Sequence, residues 1–338
     1  MSAAMSTSNG RAAAAAPTTL AKALNMGLRA SMEKNPKVLV MGEDVGKLGG
    51  VFRVTDGLQK DFGAHRVLDT PLAESGIIGT AIGLAMRGYR PVTEIQFDGF
   101  VFPGFDQIIS QLAKLTFRSQ GILKMPVVVR IPFGGGIGAV EHHAEAPESF
   151  FCHIAGIRVV SCSNSADAYF MIQEAIDCDD PVVFFEPKRR YWEKAPLDVT
   201  DRPKSTFSAI VRRPGTDVTV VSYGPSMPVL YAAADAAAAE GRSLEVIDLR
   251  TLSPLDLDPV LDSVRRTGRL VVVTEAPRES SISGDIAARV TEEAFYSLAA
   301  PVLRVAGLDV PYPPSKLEDH YLPDLDKVLD AVDRVLAY

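Results

Sequence analysis

Two stretches of the chain each alternate short apolar runs with helix-like segments, and this alternation constrains the fold more than any other feature of the sequence. Continuous runs of Val and Ile between helices are typical of parallel strands that are buried on both faces. Because parallel strands need crossover connections, the pattern predicts helices on both faces of each sheet. The sequence therefore predicts an α/β protein with two parallel-sheet domains.

The apolar runs and the periodic segments between them also predict individual elements. In the first stretch we expect strands at residues 38–41, 92–96, 127–131, 158–161 and 182–186, and helices at 18–35, 74–87, 102–120 and 166–177. In the second we expect strands at 218–223, 244–249, 270–274 and 302–305, and helices at 227–240, 257–266 and 284–298. The charged segment between the stretches contains three prolines, which indicates a linker. We therefore expect a first domain at 18–195, a linker at 196–216 and a second domain at 217–338.

Composition and charge narrow the class of protein. The length of 338 residues suits two domains, and a net charge of −7 argues against a general nucleic-acid surface, which needs clustered Lys and Arg. The most apolar helical run, residues 76–86, is too short to cross a bilayer, which takes about 20 residues. Cys152, Cys162 and Cys178 form no Cys-x-x-Cys pair, which fits a reducing compartment. Residues 1–17 lack the apolar core of a secretory signal, so we expect a disordered leader, with a short transit peptide as the alternative, and a cytoplasmic protein.

A glycine-rich segment follows one of the predicted strands. Residues 134–139, Gly-Gly-Gly-Ile-Gly-Ala, match a relaxed dinucleotide-binding fingerprint. That fingerprint also requires a helix that begins at the glycines and an acidic residue about 20 positions later. Neither is present, so we reject an NAD-binding site and expect the glycines to permit close approach of the backbone to another group.

The next segment contains the densest group of ionisable residues that includes histidine. Glu141, His142, His143 and Glu145 are close in sequence, but a metal site needs at least three convergent ligands. The two alternatives are an exposed polar loop and a single catalytic histidine that exchanges a proton near neutral pH. The other histidines are isolated and are expected to be structural or superficial.

Three carboxylate and amide residues lie at predicted element ends. Glu74 precedes an apolar helix, where it either complements the helix N-terminus or lies in an apolar pocket with an altered pKa. Gln96 and Asp98 follow a strand at its carboxyl end, where α/β sheets bind ligands, but both also suit a turn. The local sequence leaves these alternatives open.

Together, a series of segments in a fixed order resembles a known family. The segments are Val-Met-Gly-Glu-Asp-Val (40–45), Gly-Gly-Val-Phe-Arg (49–53), Asp-Thr-Pro-Leu-Ala-Glu-Ser-Gly-Ile (69–77), Glu-Ile-Gln-Phe (94–97), Phe-Asp-Gln-Ile (105–108), His-Ala-Glu-Ala-Pro-Glu (143–148), Phe-Glu-Pro-Lys (185–188), Glu-Val-Ile-Asp-Leu-Arg-Thr (245–251) and Thr-Glu-Ala-Pro (274–277). From residue 18 to the end, the chain resembles the β subunit of the decarboxylating component of 2-oxo acid dehydrogenase complexes. The resemblance implies a thiamine-binding pyrimidine-type domain followed by a transketolase C-terminal-type domain.

The resemblance also implies roles for particular residues. Glu74 matches the glutamate that hydrogen-bonds the aminopyrimidine of thiamine diphosphate and promotes carbanion formation, and Leu72, Gln96 and Phe100 match positions around that ring. His143 matches the histidine that supports acyl transfer to lipoamide. Both serines of the family's His-Ser-x-Ser-Pro-Glu pattern are alanine here, so the contacts that orient this histidine are expected to differ.

Further implications concern metals and partners. Ala175, Ile176, Cys178 and Asp180 align with a structural potassium site of some relatives. The Gly-Asp-Gly motif that holds Mg²⁺ in thiamine enzymes is missing, and the family carries it on the α subunit. The resemblance therefore implies an active site shared with an α subunit in an α2β2 assembly, and docking to a dihydrolipoamide acyltransferase.

The substrate is predicted from the same motifs. Segments 94–97 and 185–188, with the Phe102-Pro103 pair, resemble branched-chain enzymes, whose substrate is 3-methyl-2-oxobutanoate, more than pyruvate enzymes. Pyruvate and acetoin dehydrogenases are the nearest alternatives. A non-catalytic regulatory subunit with the same fold is a further alternative.

Overall fold

The computed structural model describes residues 17–338, so all but the last residue of the expected leader lies outside the described range. The strands are β1 (Pro17–Thr19), β2 (Val38–Gly42), β3 (Val67–Asp69), β4 (Arg90–Glu94), β5 (Val128–Phe133), β6 (Arg158–Ser161), β7 (Val182–Pro187), β8 (Lys194–Pro196), β9 (Ile210–Arg213), β10 (Val218–Ser222), β11 (Leu244–Asp248), β12 (Thr251–Ser253), β13 (Leu270–Pro277) and β14 (Leu303–Gly307). The helices are α1 (Leu20–Lys34), α2 (Leu58–Phe62), α3 (Glu74–Met86), α4 (Phe102–Asp106), α5 (Ala113–Arg118), α6 (Glu148–Cys152), α7 (Ser165–Asp177), α8 (Met227–Ala239), α9 (Asp258–Thr267), α10 (Ile282–Ala294), α11 (Glu318–Tyr321) and α12 (Leu325–Leu336).

The first domain is built on a seven-stranded sheet. Its strand order is β12-β6-β7-β5-β4-β2-β3, and every pairing is parallel except that of β12 with β6. Residues of β2, β5 and β7 are buried along their whole length, as their continuous apolar runs predict. On one face α1 packs against α7. The N-cap residues of these two helices are Thr19 and Asn164, whose side chains accept backbone N–H groups of the first turn.

The predicted long helix at 102–120 is interrupted. It consists of α4, a π-helical segment at Gln107–Leu112, and α5. This helical region packs on α3, where Gly104 lies against the backbone of Glu74 and the Ser75 hydroxyl donates to the Pro103 carbonyl at 3.0 Å. The contact fixes the N-terminus of α3, which carries Glu74.

The second domain has a five-stranded sheet in the order β14-β13-β10-β11-β9. Its strands are parallel except β9, which pairs antiparallel to β11 at the edge. β9 lies inside the segment predicted as a linker. The strand was not predicted because its residues, Ile-Val-Arg-Arg, are too few and too polar to show a strand pattern. The two-domain α/β architecture expected from the sequence is confirmed.

The two sheets share more than a covalent connection. β12 belongs by sequence to the second domain but completes the sheet of the first, and Leu252 in it is buried. One hydrophobic cluster also contains side chains of both domains, such as Phe133 and Phe185 with Tyr223 and Leu249. The domains therefore pack as one body, and loops from both meet at the carboxyl edge of the first sheet.

Candidate active site

The residues predicted as catalytic or cofactor-binding lie in segments that follow the strands at one edge of the first sheet. β7, β5, β4 and β2 are adjacent and parallel, so the loops after their carboxyl ends lie side by side. Open α/β sheets bind ligands at this edge. The loop after β2 carries Glu43, that after β4 carries Gln96, and that after β5 carries His143.

Glu74 lies in the first turn of α3 and is only 5% exposed, so its carboxylate is both at a helix N-terminus and buried. The sequence offered a helix N-terminus and an apolar pocket with an altered pKa as alternatives, and the structure shows the helix N-terminus together with burial. Glu43, in the loop after β2, interacts electrostatically with Glu74: burial raises the pKa of Glu43, and the charges of Glu74 and Asp44 raise it further. Glu43 and Glu74 thus form a pair of buried acidic side chains, in which the raised pKa of Glu43 favours the uptake of a proton by Glu43. Such a pair can exchange a proton with a basic ring nitrogen.

The side chains expected around the pyrimidine differ in their exposure and contacts. Gln96 donates to Asp44 Oδ2 at 3.4 Å, and Leu72 is 75% exposed in the loop before α3. Phe100 packs against Phe97, with ring centroids 5.8 Å apart. Leu72 therefore offers an uncovered apolar surface. Gln96 and Phe100 are instead partly buried, against Asp44 and Phe97 respectively.

His143 lies on an aromatic wall formed after β4. Its ring is edge-on to Phe97, with centroids 4.1 Å apart, and 5.2 Å from the ring of Phe100. Burial lowers the pKa of His143 below its ordinary value, and the nearby His142 and Lys188 lower it further. The ring of His142 is centred 4.3 Å away, but its side chain is half exposed. His143 is therefore packed against the aromatic wall, whereas His142 faces solvent.

A buried ion pair holds the backbone of the histidine segment. Lys188 donates to Asp98 and, at 2.5 Å, to the carbonyl of His143, while Asp98 accepts the backbone N–H of Glu145 at 2.8 Å. Both charged side chains are fully buried. Burial raises the pKa of Asp98 to about 6, against the opposing effect of Lys188. Asp98 was left open in the sequence and the role of Lys188 was missed; its only signal was membership of the Phe-Glu-Pro-Lys motif.

A second buried network lies beneath the site. The Arg130 guanidinium binds Glu186 through two hydrogen bonds of 2.6 and 2.9 Å and Glu94 through one of 2.6 Å. The Tyr191 hydroxyl donates to Glu186 at 2.5 Å. Glu94 and Glu186 belong to two motifs far apart in sequence. Through Arg130 they join β4, β5 and β7, and these charge-assisted hydrogen bonds fix the strand ends that carry the site.

The glycine-rich segment contacts protein groups of the second domain. Gly135 N–H donates to Glu275 at 3.1 Å, and a methyl group on Gly135 would overlap the Tyr312 hydroxyl. Gly134, Gly136 and Gly138 have positive φ angles of +85°, +83° and +70°. The expected close backbone approach is confirmed, and the groups approached are side chains of the second domain.

The residues aligned with a potassium site lie away from this edge. Arg90 donates to the carbonyls of Ile176 and Cys178, both at 2.9 Å, and binds Asp179 at 2.6 Å. Asp180 accepts from Arg158 at 3.0 Å. A potassium ion at these carbonyls would lie close to the guanidinium, and like charges repel. Two of the expected oxygen ligands therefore already have a cationic partner, and the arrangement does not fit the ion.

The described part of the chain has neither a side-chain cluster suited to a metal ion nor a helix suited to a membrane. Residues 17–338 contain no cluster of three or more His, Cys, Asp or Glu side chains that could hold a metal ion. Over the same range, no helix has the length and apolarity to cross a membrane.

Two family models match the chain and together cover most of it. The pyrimidine binding domain of transketolase matches residues 16–193, and the transketolase C-terminal domain matches residues 208–328. A solved structure described as a split-gene transketolase, inactive β4 tetramer, is similar with a TM-score of 0.79. It is 22% identical and covers 95% of this chain and 99% of its own, so this likeness supports the fold.

Curated relatives are similar over nearly their whole length. A pyruvate dehydrogenase E1 component subunit beta of Leifsonia xyli is 63% identical, covering 94% of this chain and 95% of the relative. A 3-methyl-2-oxobutanoate dehydrogenase subunit beta of Mycobacterium tuberculosis is 53% identical, covering 94% and 92%. The chain therefore belongs to the β-subunit family of the thiamine-dependent decarboxylating component of 2-oxo acid dehydrogenases.

Proposed function

We propose that this chain is the β subunit of a cytoplasmic 2-oxo acid dehydrogenase and that it acts with an α subunit in an α2β2 assembly. The observation that carries the proposal is the buried Glu74 beside Glu43 at the carboxyl edge of the first sheet. His143, seated on the aromatic wall of the same edge, supplies a second functional group. The reaction is oxidative decarboxylation of a 2-oxo acid with acyl transfer to lipoamide.

The residues present fit the aminopyrimidine half of thiamine diphosphate. A buried carboxylate pair can hold a proton against a ring nitrogen, and the uncovered Leu72 offers apolar contact to a flat ring. When bound, thiamine diphosphate supplies the carbon nucleophile and the electron sink for decarboxylation. Glu74 would hold the proton at the ring nitrogen, while Gln96 and Phe100 would border the ring.

His143 is proposed to act in the acyl transfer. In that transfer the acyl carbon would form a bond to one lipoyl sulfur and give up its bond to the carrier and its hydroxyl proton, while the sulfur–sulfur bond breaks and the second sulfur takes up a proton, so that the carbon is oxidised and the disulfide reduced. The imidazolium of His143 would donate this proton, since its lowered pKa makes it a stronger acid than ordinary histidine. The Lys188–Asp98 pair would keep the ring in place through the backbone.

Two groups are assigned to partners. Since the sequence has no Gly-Asp-Gly motif, the proposal gives the Mg²⁺ of the diphosphate to the α subunit. The acyl acceptor is the lipoyl group of a dihydrolipoamide acyltransferase, to which the second domain would dock. Potassium has no part in the proposal, because Arg90 already binds the carbonyls of Ile176 and Cys178.

For the substrate we propose a branched-chain 2-oxo acid, 3-methyl-2-oxobutanoate. The support is the pair of motifs that meet in the Glu94–Arg130–Glu186 network, together with the Mycobacterium tuberculosis relative. Pyruvate is the second candidate, because the Leifsonia xyli relative is 63% identical and is named for it. Turnover of the two acids by the assembly with its α subunit decides between them, and equal or greater activity on pyruvate would overturn the branched-chain assignment.

The catalytic role is tested by Glu74→Gln in the assembly with the α subunit. We expect a loss of decarboxylation of at least about 10²-fold, because Gln cannot exchange the proton that a carboxylate holds. The matched control is Glu33→Gln, an exposed residue of α1 that undergoes the same chemical change. If Glu74→Gln and His143→Ala both leave decarboxylation and acyl transfer unchanged, the chain is a non-catalytic subunit.

A further inference from the structure

The segment that carries His143 is a closed loop. Gly134 N–H donates to the Glu145 carbonyl at 2.9 Å, so residues 134–145 leave β5 and return to the same point. Loops of this length with adjacent ends form compact Ω-loops. His143 lies near the end of the returning limb, and the glycines form the outgoing limb. Both limbs must be held if the imidazole is to keep one position.

The two limbs are held by different domains. The returning limb is bound by Lys188 and Asp98 of the first domain, through the carbonyl of His143 and the N–H of Glu145. The outgoing limb is bound by carboxylates of the second domain. The loop is therefore anchored on both sides, and only one anchor belongs to the sheet that carries the site.

Glu318 makes the larger part of the second-domain anchor. Its Oε1 accepts the N–H of Gly136 at 2.7 Å, and its Oε2 accepts the N–H of Gly138 at 3.0 Å. The Tyr312 hydroxyl donates to Oε1 at 2.5 Å. Glu318 is buried at the start of α11. A carboxylate that receives several N–H groups forms charge-assisted hydrogen bonds, about twice as strong as neutral ones.

The glycines make this anchor sterically selective. Gly136 and Gly138 have left-handed φ angles, which L-residues with a Cβ rarely adopt. A Cβ at Gly136 would lie 2.8 Å from the Arg189 side chain of the first domain, and a Cβ at Gly135 would overlap the Tyr312 hydroxyl of the second domain. Side chains of the second domain therefore contact the loop backbone directly. The Glu318 carboxylate accepts N–H groups that it can reach because the glycines have no side chain.

We propose that Glu318 is a positioning residue for His143, acting across the domain interface through the glycine-rich limb. The inference rests on the proposed role of His143 in acyl transfer. Loss of the carboxylate removes the charged acceptor of the Gly136 and Gly138 N–H groups, while Glu275 still holds Gly135 and Lys188 still holds the returning limb. The imidazole then moves relative to the bound lipoyl group, and a misplacement of about 1 Å lowers a rate by up to about 10²-fold.

The first test measures the anchor itself by amide hydrogen exchange in the cofactor-free α2β2 assembly. In Glu318→Ala we expect the amides of residues 134–145 to exchange at least about 10-fold faster, with unchanged exchange in β5 and β7. Glu318→Gln should give a smaller increase, because its single amide oxygen replaces two charged acceptors. The control is Asp319→Asn, the exposed next residue of the same helix. Unchanged exchange of the loop in Glu318→Ala overturns the proposal.

The second test separates two partial reactions of the assembly. Decarboxylation is followed with a dye as electron acceptor, and acyl transfer with the lipoyl domain of the acyltransferase. Glu318→Ala should lower acyl transfer about 10- to 100-fold and leave dye-coupled decarboxylation within about two-fold. Equal losses in both reactions indicate general damage to the fold and overturn the positioning role.

These outcomes differ from those that refute the proposed function. If wild-type assembly shows no decarboxylation, or His143→Ala transfers acyl groups normally, the function assigned to the site is wrong. The exchange measurement would still report whether Glu318 holds the loop. If the loop loosens in Glu318→Ala while acyl transfer stays at the wild-type rate, the anchor exists but the positioning role is refuted.

Discussion

At the scale of single residues, the environment of His143 has a measurable consequence. Burial lowers the pKa of His143 below 6.5, and His142 lowers it further. If the imidazolium donates a proton, acyl transfer falls as pH rises through this lowered pKa. Replacing His142 with Gln removes one of these effects, so the pKa of His143 rises and the alkaline limb moves to higher pH. The pH dependence of kcat/KM for lipoyl-domain acylation measures this shift.

The control for this shift is His143→Ala. This variant should lose about 10²–10⁴-fold in acyl transfer and should lack the limb altogether. If the alkaline limb of His142→Gln moved to lower pH, this would contradict the inference that His142 lowers the pKa of His143. Dye-coupled decarboxylation serves as an internal reference, because it does not use the proton of His143.

The sequence identified some of these residues and not others for a physical reason. Glu74 and His143 stand in motifs, so their family could be recognised from linear order alone. Lys188 also stands in a motif, but its function depends on Asp98, which is 90 positions away and meets it only in the folded chain. Glu318 gave no local signal, because an acidic residue at the start of a four-residue helix is common on protein surfaces.

At the scale of elements, α6 connects the two domains through a buried acid. Glu148 at its start accepts the Tyr223 hydroxyl that follows β10. Burial raises the pKa of Glu148 to about 7, although the hydrogen bond from Tyr223 opposes this. Its Oε2 has no hydrogen-bond partner among residues 17–338. The free energy of unfolding should therefore depend on the protonation of this one side chain.

The sign of that dependence follows from the two pKa values. An unfolded glutamate titrates near 4.5 and the folded Glu148 near 7. Between these values the folded state keeps a proton that the unfolded chain has lost, so stability falls as pH rises, by at most about 3 kcal/mol. Glu148→Gln is neutral throughout and keeps an acceptor for Tyr223. Urea unfolding of the full chain at pH 5 and pH 8, at one protein concentration, should show a weaker pH dependence in the variant; equal dependences would contradict it.

The predicted elements agree with the structure where apolar runs are long. The buried strands of both sheets and helices such as α3, α7 and α8 were predicted within a few residues. β3, β9 and β12 were missed, because three or four residues show neither an apolar run nor a period. The π-helical segment Gln107–Leu112 also left no sequence signal, since its apolar spacing resembles that of an α-helix.

At the scale of the whole molecule, the two domains should unfold together. They share a hydrophobic cluster, and Leu252 in β12 is buried between them. We expect Leu252→Ala to lower the free energy of unfolding by about 2–5 kcal/mol. The single tryptophan, Trp192, lies in the first domain, whose sheet includes β12, so its fluorescence should report the Leu252→Ala substitution.

Two optical probes measure this coupling. Trp192 fluorescence and far-ultraviolet circular dichroism should give coincident transitions in the wild type and should shift together in Leu252→Ala. Leu308→Ala, an exposed position of the second domain, is the control and should shift neither. Separate transitions for the two probes would show that the domains unfold independently.

The crossing of β12 into the first sheet also bears on synthesis of the chain. Until residues 251–253 have been made, β6 is an edge strand with unpaired backbone groups and two valines, Val159 and Val160, at its centre. Such an edge is a template for pairing with other chains, and domains fold in order during translation. After the first domain has been synthesised, its sheet therefore keeps one open edge during the synthesis of about one sixth of the protein. Cellular factors that shield unpaired strand edges should matter most to this chain during that interval.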